Sequence, residues 1–459
     1  MQFITRDKEF YRSLVLLMIP ISLQRLITFG ITFADNVMIG SLGDSAVSGV
    51  YVSNQMQTLQ TSVILALETS LMILGSQYWG KKDTAPIRSL ISIAVRFGVG
   101  FSLLLTIVSL LFPENFIRFF TKDETTIRDG SIYLRIIAVT FIAYAVSQIM
   151  IAAMRSVETA RTGLYISMAA LVINVSLNYI LIFGKLGFPA MGIRGAAIAT
   201  LISRVSEALL ATLYILFADK KLNFRMSDFL HIDRTLMKDF IRYGLPVIGG
   251  QVVWACNLLF NTRILGSFDN AGVITATSIV GQMQNMVFMW TVGLSSAAGI
   301  ITGKTIGAGE FDKMKVYART IQILFLVIGI LSGGLVLLIA DPFISLYNVS
   351  SDAVMYAHQF AILYSIIVIG QTYQGMGLAG LVKSGGDTAF VFKNDTIFVF
   401  LVVMPLTLFA RYRLNAAPAV VYMCLRCDEL LKCIVAFFKI NSFNWMKNLT
   451  RDTTEEAAA

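Results

Sequence analysis

Charge is scarce in this sequence. Only 14% of its 459 residues are Asp, Glu, Lys or Arg, against roughly a quarter in soluble domains. A large soluble enzyme and a disordered chain are both excluded by that figure. Histidine is scarcer still: His231 and His358 are the only two. Four cysteines, Cys256, Cys424, Cys427 and Cys433, all fall inside apolar stretches. A disulfide-stapled secreted fold is therefore excluded. The Cys424–Cys427 pair has no second pair and no nearby histidine, which argues against zinc. The cysteines read as small packing residues.

What the chain has instead is apolar length. Hydrophobic residues make up 56%. One membrane-spanning helix uses about 20 residues, so that share suffices for about twelve spans. Apolar runs cover 13–39, 50–78, 87–112, 130–153, 163–183, 192–217, 240–265, 272–303, 315–340, 353–381, 390–410 and 417–438. No alternating ten-residue pattern dominates, so a β-barrel is disfavoured. The first run continues past Gln24 and Arg25 without a small-residue cleavage site, unlike a signal peptide. The predicted fold is an all-α polytopic membrane protein of twelve helices.

The net charge of +9 fits basic cytoplasmic loops better than a nucleic-acid partner. With twelve spans both termini share one side. That side carries about 22 Lys and Arg, including Lys81, Lys82, Lys220, Lys221, Lys313 and Lys315, and the other side about 7. Both termini are thereby expected in the cytoplasm, in a cell (plasma or inner) membrane. The longest basic connector, 218–238, reads as a hinge. The tail from Arg451 is polar and reads as frayed.

The two halves resemble each other. Pro20 matches Pro246, Asp35 matches Asn261 and Gly40 matches Gly266, all at one spacing; Gln55 matches Gln282, Gln57 matches Gln284 and Gly80 matches Gly307 one residue later; Arg155-Ser156 matches Lys383-Ser384 after one more. This slow drift is what a diverged duplication leaves. Each half has six spans, so both enter the membrane in the same sense, as in parallel-repeat transporters. The expected lobes are 1–222 and 239–445, joined by a linker at 223–238 and followed by a tail at 446–459. Two lobes with a seam suit alternating access.

Several motifs then carry a resemblance to a known family. They are Phe33-Ala-Asp35-Asn36 through Gly40-Ser-Leu-Gly43; Gly75-Ser-Gln77-Tyr78-Trp79-Gly80; Asn174 through Asn178 to Gly184, followed by Gly187-Phe-Pro189-Ala-Met-Gly192-Ile-Arg-Gly195; and Gly303-Lys304-Thr-Ile-Gly307. In this order and at repeat spacing, the chain resembles the multidrug and toxic compound extrusion (MATE) family over nearly its whole length. The resemblance implies two six-helix lobes forming a V around a central cavity. It also implies export of amphipathic, often cationic compounds in exchange for protons or sodium. No cofactor is implied beyond that coupling ion, no metal beyond Na+, and no enzyme activity.

An ionised carboxylate in the bilayer core costs about 3 kcal/mol on insertion scales, so each needs a reason. Asp35 leads. Asn174 and Asn178 are four residues apart on one face of the fifth span, and Thr200 lies in the sixth. A carboxylate, two amides and a hydroxyl are hard ligands that suit sodium, or a proton on Asp35. Relatives that bind a cation there often carry an acid where this chain has Asn178, which weakens the sodium reading. Some also carry a glutamate on the seventh span where this chain has Trp254.

The secondary acidic candidates are Glu68, Asp395, Asp428 and Glu429. Arg204 and Glu207 read as a local ion pair, and Asp428 with Lys432 as a local cluster or a polar site. For a substrate cavity, the candidates are Gln55, Gln57, Gln282, Gln284, Asn257 and Asn261, since lipid penalises exposed amides. Met286, Met289 and Trp290, with Met283, form one broad face whose methionines adapt to varied ligands. The competing reading is a flippase for lipid-linked or amphipathic substrates. A membrane enzyme is disfavoured by the lack of a nucleophile–base motif. The expected partners are small amphipathic molecules and lipid, with a monomeric chain.

Overall fold

The computed structural model describes residues 4–40, 44–229, 233–268, 270–347 and 349–451. Ser41, Leu42 and Gly43 of the first motif, His231 and the tail beyond Arg451 lie outside the described residues.

Helices follow one another along the chain. They are α1 (Lys8–Gly40), α2 (Asp44–Gly80), α3 (Ala85–Leu111), α4 (Glu124–Ser156), α5 (Ala160–Phe183) and α6 (Ile193–Ala218). In the second half come α7 (Arg234–Leu265), α8 (Ala271–Gly307), α9 (Phe311–Ile344), α10 (Ser351–Lys383) and α11 (Thr388–Arg413). All eleven are long and apolar enough to cross a membrane. The twelfth expected span is present as two short pieces, α12 (Pro418–Leu425) and α13 (Asp428–Ser442). Arg426, Asp428, Glu429 and Lys432 crowd this stretch, and the helix restarts with both acids in its first turn, where the helix dipole favours negative charge.

Sequence chemistry sets the helix starts. Asp123 accepts from Thr126 N at 2.8 Å ahead of α4, and Asn270 accepts from Gly272 N at 2.8 Å ahead of α8. Several turns of α10 and α11 widen to π-helical geometry.

By packing, the chain separates into two units: Leu23–Gly244, and Met1–Ser22 together with Leu245–Ala459. The duplication counted along the chain puts the boundary in the linker; packing puts it inside α1 and α7. Each changeover lies within three residues of a helix-interior proline, Pro20 or Pro246. Proline removes a backbone hydrogen bond and bends the helix there.

In the N-terminal unit, α4 is the central helix and packs on α2, α3 and α6. Gly49 on α2 and Gly130 on α4 let the two backbones touch: a Cβ on Gly49 would lie 2.7 Å from Gly130 N. In the C-terminal unit the central helix is the corresponding one, α10, which packs on α8 and α9. Its core gathers Phe360, Tyr364, Val280 and Met283, with the Phe360 and Tyr422 rings stacked 4.3 Å apart.

Part of the connector after α6 packs against the N-terminal unit. Leu222 and Phe224 are fully buried. Ser92 donates to the Asp228 carbonyl at 2.7 Å and Lys221 to the Val157 carbonyl at 2.7 Å. Two apolar anchors and satisfied backbone groups hold residues 219–229 against the N-terminal unit. Its Lys and Arg stems hide the apolar anchors in the sequence.

Candidate functional site

The site in the N-terminal unit is built on a tight hairpin. Gly184 ends α5 at φ +66°, a conformation glycine adopts without strain. Met191 N then returns to the Leu181 carbonyl at 2.9 Å. Gly195 follows so closely that a Cβ there would sit 2.6 Å from the same carbonyl oxygen. With α5 and α6 pinned at this turn, residues a similar distance from it lie near one level. Asn174 Nδ2 accordingly donates to Thr200 Oγ1 at 3.4 Å.

One turn along α5, Asn178 Nδ2 donates to Asn174 Oδ1 at 3.2 Å and to Asp35 Oδ1 on α1. The four coupling candidates thus form one hydrogen-bonded string. Asn174 and Asn178 are fully buried, and among the described residues Asn178 Oδ1 is buried without a partner. A sequestered carbonyl oxygen of this kind is an acceptor waiting for a donor or a cation.

A pocket opens onto Asp35. Thr32 and Asn36 join it from α1, Asn54 and Gln57 from α2, Tyr133 from α4, and Thr200 and Arg204 from α6. Gln57 is the one glutamine cavity candidate that lines it. Sequence reasoning found Asp35, Thr200 and Gln57 but missed Asn54, Tyr133 and Arg204. Arg204 was legible as a charge inside an apolar span, yet its pairing with Glu207 hid its second face.

Behind the pocket runs a buried polar chain. Arg204 Nη1 meets Glu207 Oε2 at 3.0 Å, as the i,i+3 spacing predicted. Glu207 accepts from Ser167 at 3.1 Å and from Ser147 at 3.4 Å. Gln24 donates to Ser167 at 2.9 Å and accepts from Arg155 at 2.6 Å. Arg155 in turn faces Glu68 at 3.6 Å, with both side chains about 5% exposed. Glu68 is therefore held as an ion-pair partner.

The C-terminal unit distributes its polar groups differently. Asn261, which matches Asp35 in the repeat, and Asn257 one turn before it are half-buried on α7, with both Oδ1 atoms lacking a partner among the described residues. The acids collect at the α12–α13 break. Lys432 bridges Asp428 at 2.9 Å and Asp395 at 3.0 Å. Glu429 accepts from Gln374. Gln284 accepts from Arg426 at 2.9 Å and donates to Tyr422 at 2.7 Å, so it belongs to this cluster. Among the described residues no group of three His, Cys, Asp or Glu could hold a metal.

Other cavity candidates disperse. Gln55 donates to the Tyr51 carbonyl of its own helix at 3.4 Å, and Gln282 is exposed. The methionine face divides: Met283 is fully buried in the core, while Met286 and Trp290 are about half exposed and Met289 is intermediate. Helical spacing sets direction, and packing against α10 took Met283 out of that face.

A family model, MatE, matches residues 20–180 and 246–409. Its two matched segments begin on Pro20 and Pro246, the first pair of the internal repeat. The chain belongs to the MatE family. Among relatives, an uncharacterized transporter YisQ of Bacillus subtilis is 21% identical, covering 96% of both chains. The probable multidrug resistance protein NorM of Thermotoga maritima is 25% identical over 74% of this chain and 73% of its own. Among solved structures, the Vibrio cholerae MATE transporter VcmN in its bent form aligns at TM-score 0.84 and 17% identity, covering 96% of this chain and 99% of that one. A MOP superfamily transporter from Pyrococcus furiosus aligns at TM-score 0.84 and 15% identity, covering 96% and 99%. This MatE protein is a multi-pass membrane transporter and not an enzyme.

Proposed function

We propose that this transporter exports amphipathic, often cationic small molecules by alternating access, in exchange for a proton or sodium ion taken up around Asp35. The observation that carries the reading is the string Asp35–Asn178–Asn174–Thr200 at a pocket inside one unit. A carboxylate placed among apolar helices costs free energy that only a functional or paired role offsets. Among the described residues Asp35 is hydrogen-bonded by Asn178 and has no cation within salt-bridge distance, which leaves its charge to be neutralised by a transported ion. Several relatives are named as multidrug resistance proteins, which agrees with organic substrates. The basic loops support cytoplasmic termini and a place in the cell membrane. We take the transporting form to be a single chain, and the repeat lobes to be 1–222 and 239–445.

The test is uptake of a fluorescent lipophilic cation into inside-out vesicles, with sodium and pH gradients imposed one at a time. Wild type is expected to respond to at least one gradient. Asp35→Asn is expected to insert normally and respond to neither. Gradient-driven uptake by that variant at the wild-type rate would sink the reading. Transport of a lipid-linked substrate without any ion gradient would favour a flippase instead.

A further inference from the structure

We propose that Arg204 is a tethered counter-cation of the coupling site, shared between Asp35 and Glu207, and that this sharing sets how tightly the site holds its ion. This inference rests on the role proposed above for Asp35.

The geometry gives Arg204 two faces. Its side chain is buried, yet it lines the pocket with Asp35, Asn54, Gln57 and Tyr133. At the same time Nη1 is bound to Glu207 Oε2 at 3.0 Å, and the guanidinium lies 5.1 Å from the centre of the Tyr144 ring. A guanidinium carries five N–H donors in a fixed fork, so one edge can stay on Glu207 while another addresses the pocket. Glu207 cannot follow Arg204 freely, because Ser167 and Ser147 both donate to it. The carboxylate is the fixed post and the arginine the movable arm.

The charged and titratable side chains on the packed helices of this unit agree. On its own helix stands Arg25. From α2 comes Glu68, from α4 Arg155 with Tyr133 and Tyr144, and from α6 Arg204 and Glu207. Helix α5 presents Asn174 and Asn178, both neutral. Glu68 already faces Arg155 at 3.6 Å. Arg204 is therefore the one of these three cations that lines the Asp35 pocket. An empty, ionised Asp35 draws Arg204 toward itself. A bound ion removes that pull, and Arg204 settles on Glu207. Arg204 thus competes with the ion, and Glu207 weakens that competition. Both are positioning residues that act through Asp35.

The experiment is the pH dependence of substrate efflux from proteoliposomes holding the full-length chain. Arg204→Gln removes the competitor, so the midpoint for loss of efflux should move up by about one pH unit, a ten-fold tighter hold on the proton. Glu207→Gln releases Arg204 toward Asp35, so the midpoint should move down by a similar amount. Arg204→Lys keeps the charge and should stay closest to wild type. A structural role alone would lower the maximal rate of both glutamine variants without moving their midpoints in opposite directions, and that result overturns the proposal. If Arg204→Gln does not fold, the downward shift in Glu207→Gln still decides. Asp35→Asn is run alongside: efflux at the wild-type rate there refutes the role of Asp35, whereas unmoved midpoints with Asp35→Asn inactive refute only the role of Arg204.

Discussion

In the N-terminal unit, α1 brings a carboxylate to the buried amides of α5. In the C-terminal unit the corresponding helix, α7, brings Asn257 and Asn261, whose carbonyl oxygens are buried with no partner among the described residues. The central helices still match: α4 and α10 each pack on the two helices before them. Ser156 and its repeat mate Ser384 each press on a glycine, Gly75 of α2 and Gly299 of α8. Duplication thus kept the steric contacts and let the charges drift. Packing tolerates little volume change in a filled interior, whereas an acid survives only where something uses or neutralises it. In the C-terminal unit Asp428 and Asp395 share one cation, Lys432, beside the α12–α13 break. In the N-terminal unit Asp35 accepts from the amide of Asn178 instead.

The sharpest way to break this contrast is to give the second unit an acid. Asn261→Asp in an Asp35→Asn background is expected to leave gradient-driven efflux at least about ten-fold below wild type, since coupling terms span roughly 5–150-fold. Recovery in the vesicle assay would mean that the two units are interchangeable. Next in size are the buried ion pairs. Removing one partner of such a pair costs about 3–5 kcal/mol. Arg155→Met takes one cation from Glu68 and leaves it Arg25, while Lys432→Met removes the cation that Asp428 and Asp395 share. Thermal unfolding in detergent should therefore show the larger drop for Lys432→Met. Equal drops would erase the distinction between a paired and a bridged acid.

A smaller effect is expected at the hairpin. Gly195→Ala places a methyl against the Leu181 carbonyl and should cost about 1–3 kcal/mol. Gly281→Ala on α8 has open space and should be neutral in the same melt. The smallest effect concerns pH. Partial burial pushes the Asp387 carboxyl up, but Lys439 at 2.7 Å and Lys447 at 2.9 Å more than offset it, so the group sits below its ordinary 3.8. A lowered native value gives stability that is present above 3.8 and is lost as pH falls below it. Asp387→Asn should flatten that acid limb of the unfolding curve of the C-terminal unit while leaving the melting temperature near pH 7 only slightly lower.

Much of this was legible in the residues. Apolar runs gave eleven spans to within a few residues, because a bilayer demands length and composition and little else. Spacing alone put Asn174 and Asn178 on one face, and the motif context singled out Asp35. The break at Arg426 was not legible, since a helix and a broken helix share the same apolar period. Nor was the dispersal of Gln55, Gln282 and Met283: periodicity gives a side chain's direction, and only its neighbours decide what it meets. Arg204 was half legible. Its local partner followed from sequence distance, while its place at the pocket depended on three other helices.

The split of α1 between two packing units has a consequence for biosynthesis. Thr5 N bonds to Thr320 Oγ1 at 2.9 Å, Asp7 accepts from Tyr317, and the Phe10 ring lies 4.4 Å from the Tyr317 ring at a tilt of 38°. At ribosomal rates of roughly 5–20 residues per second, the first turn of the chain waits about 15–60 s for these partners to be made. Residues 5–10 are thus made long before the partners that hold them. Premature termination anywhere before α9 leaves that stretch unpaired, a ready signal for membrane quality control.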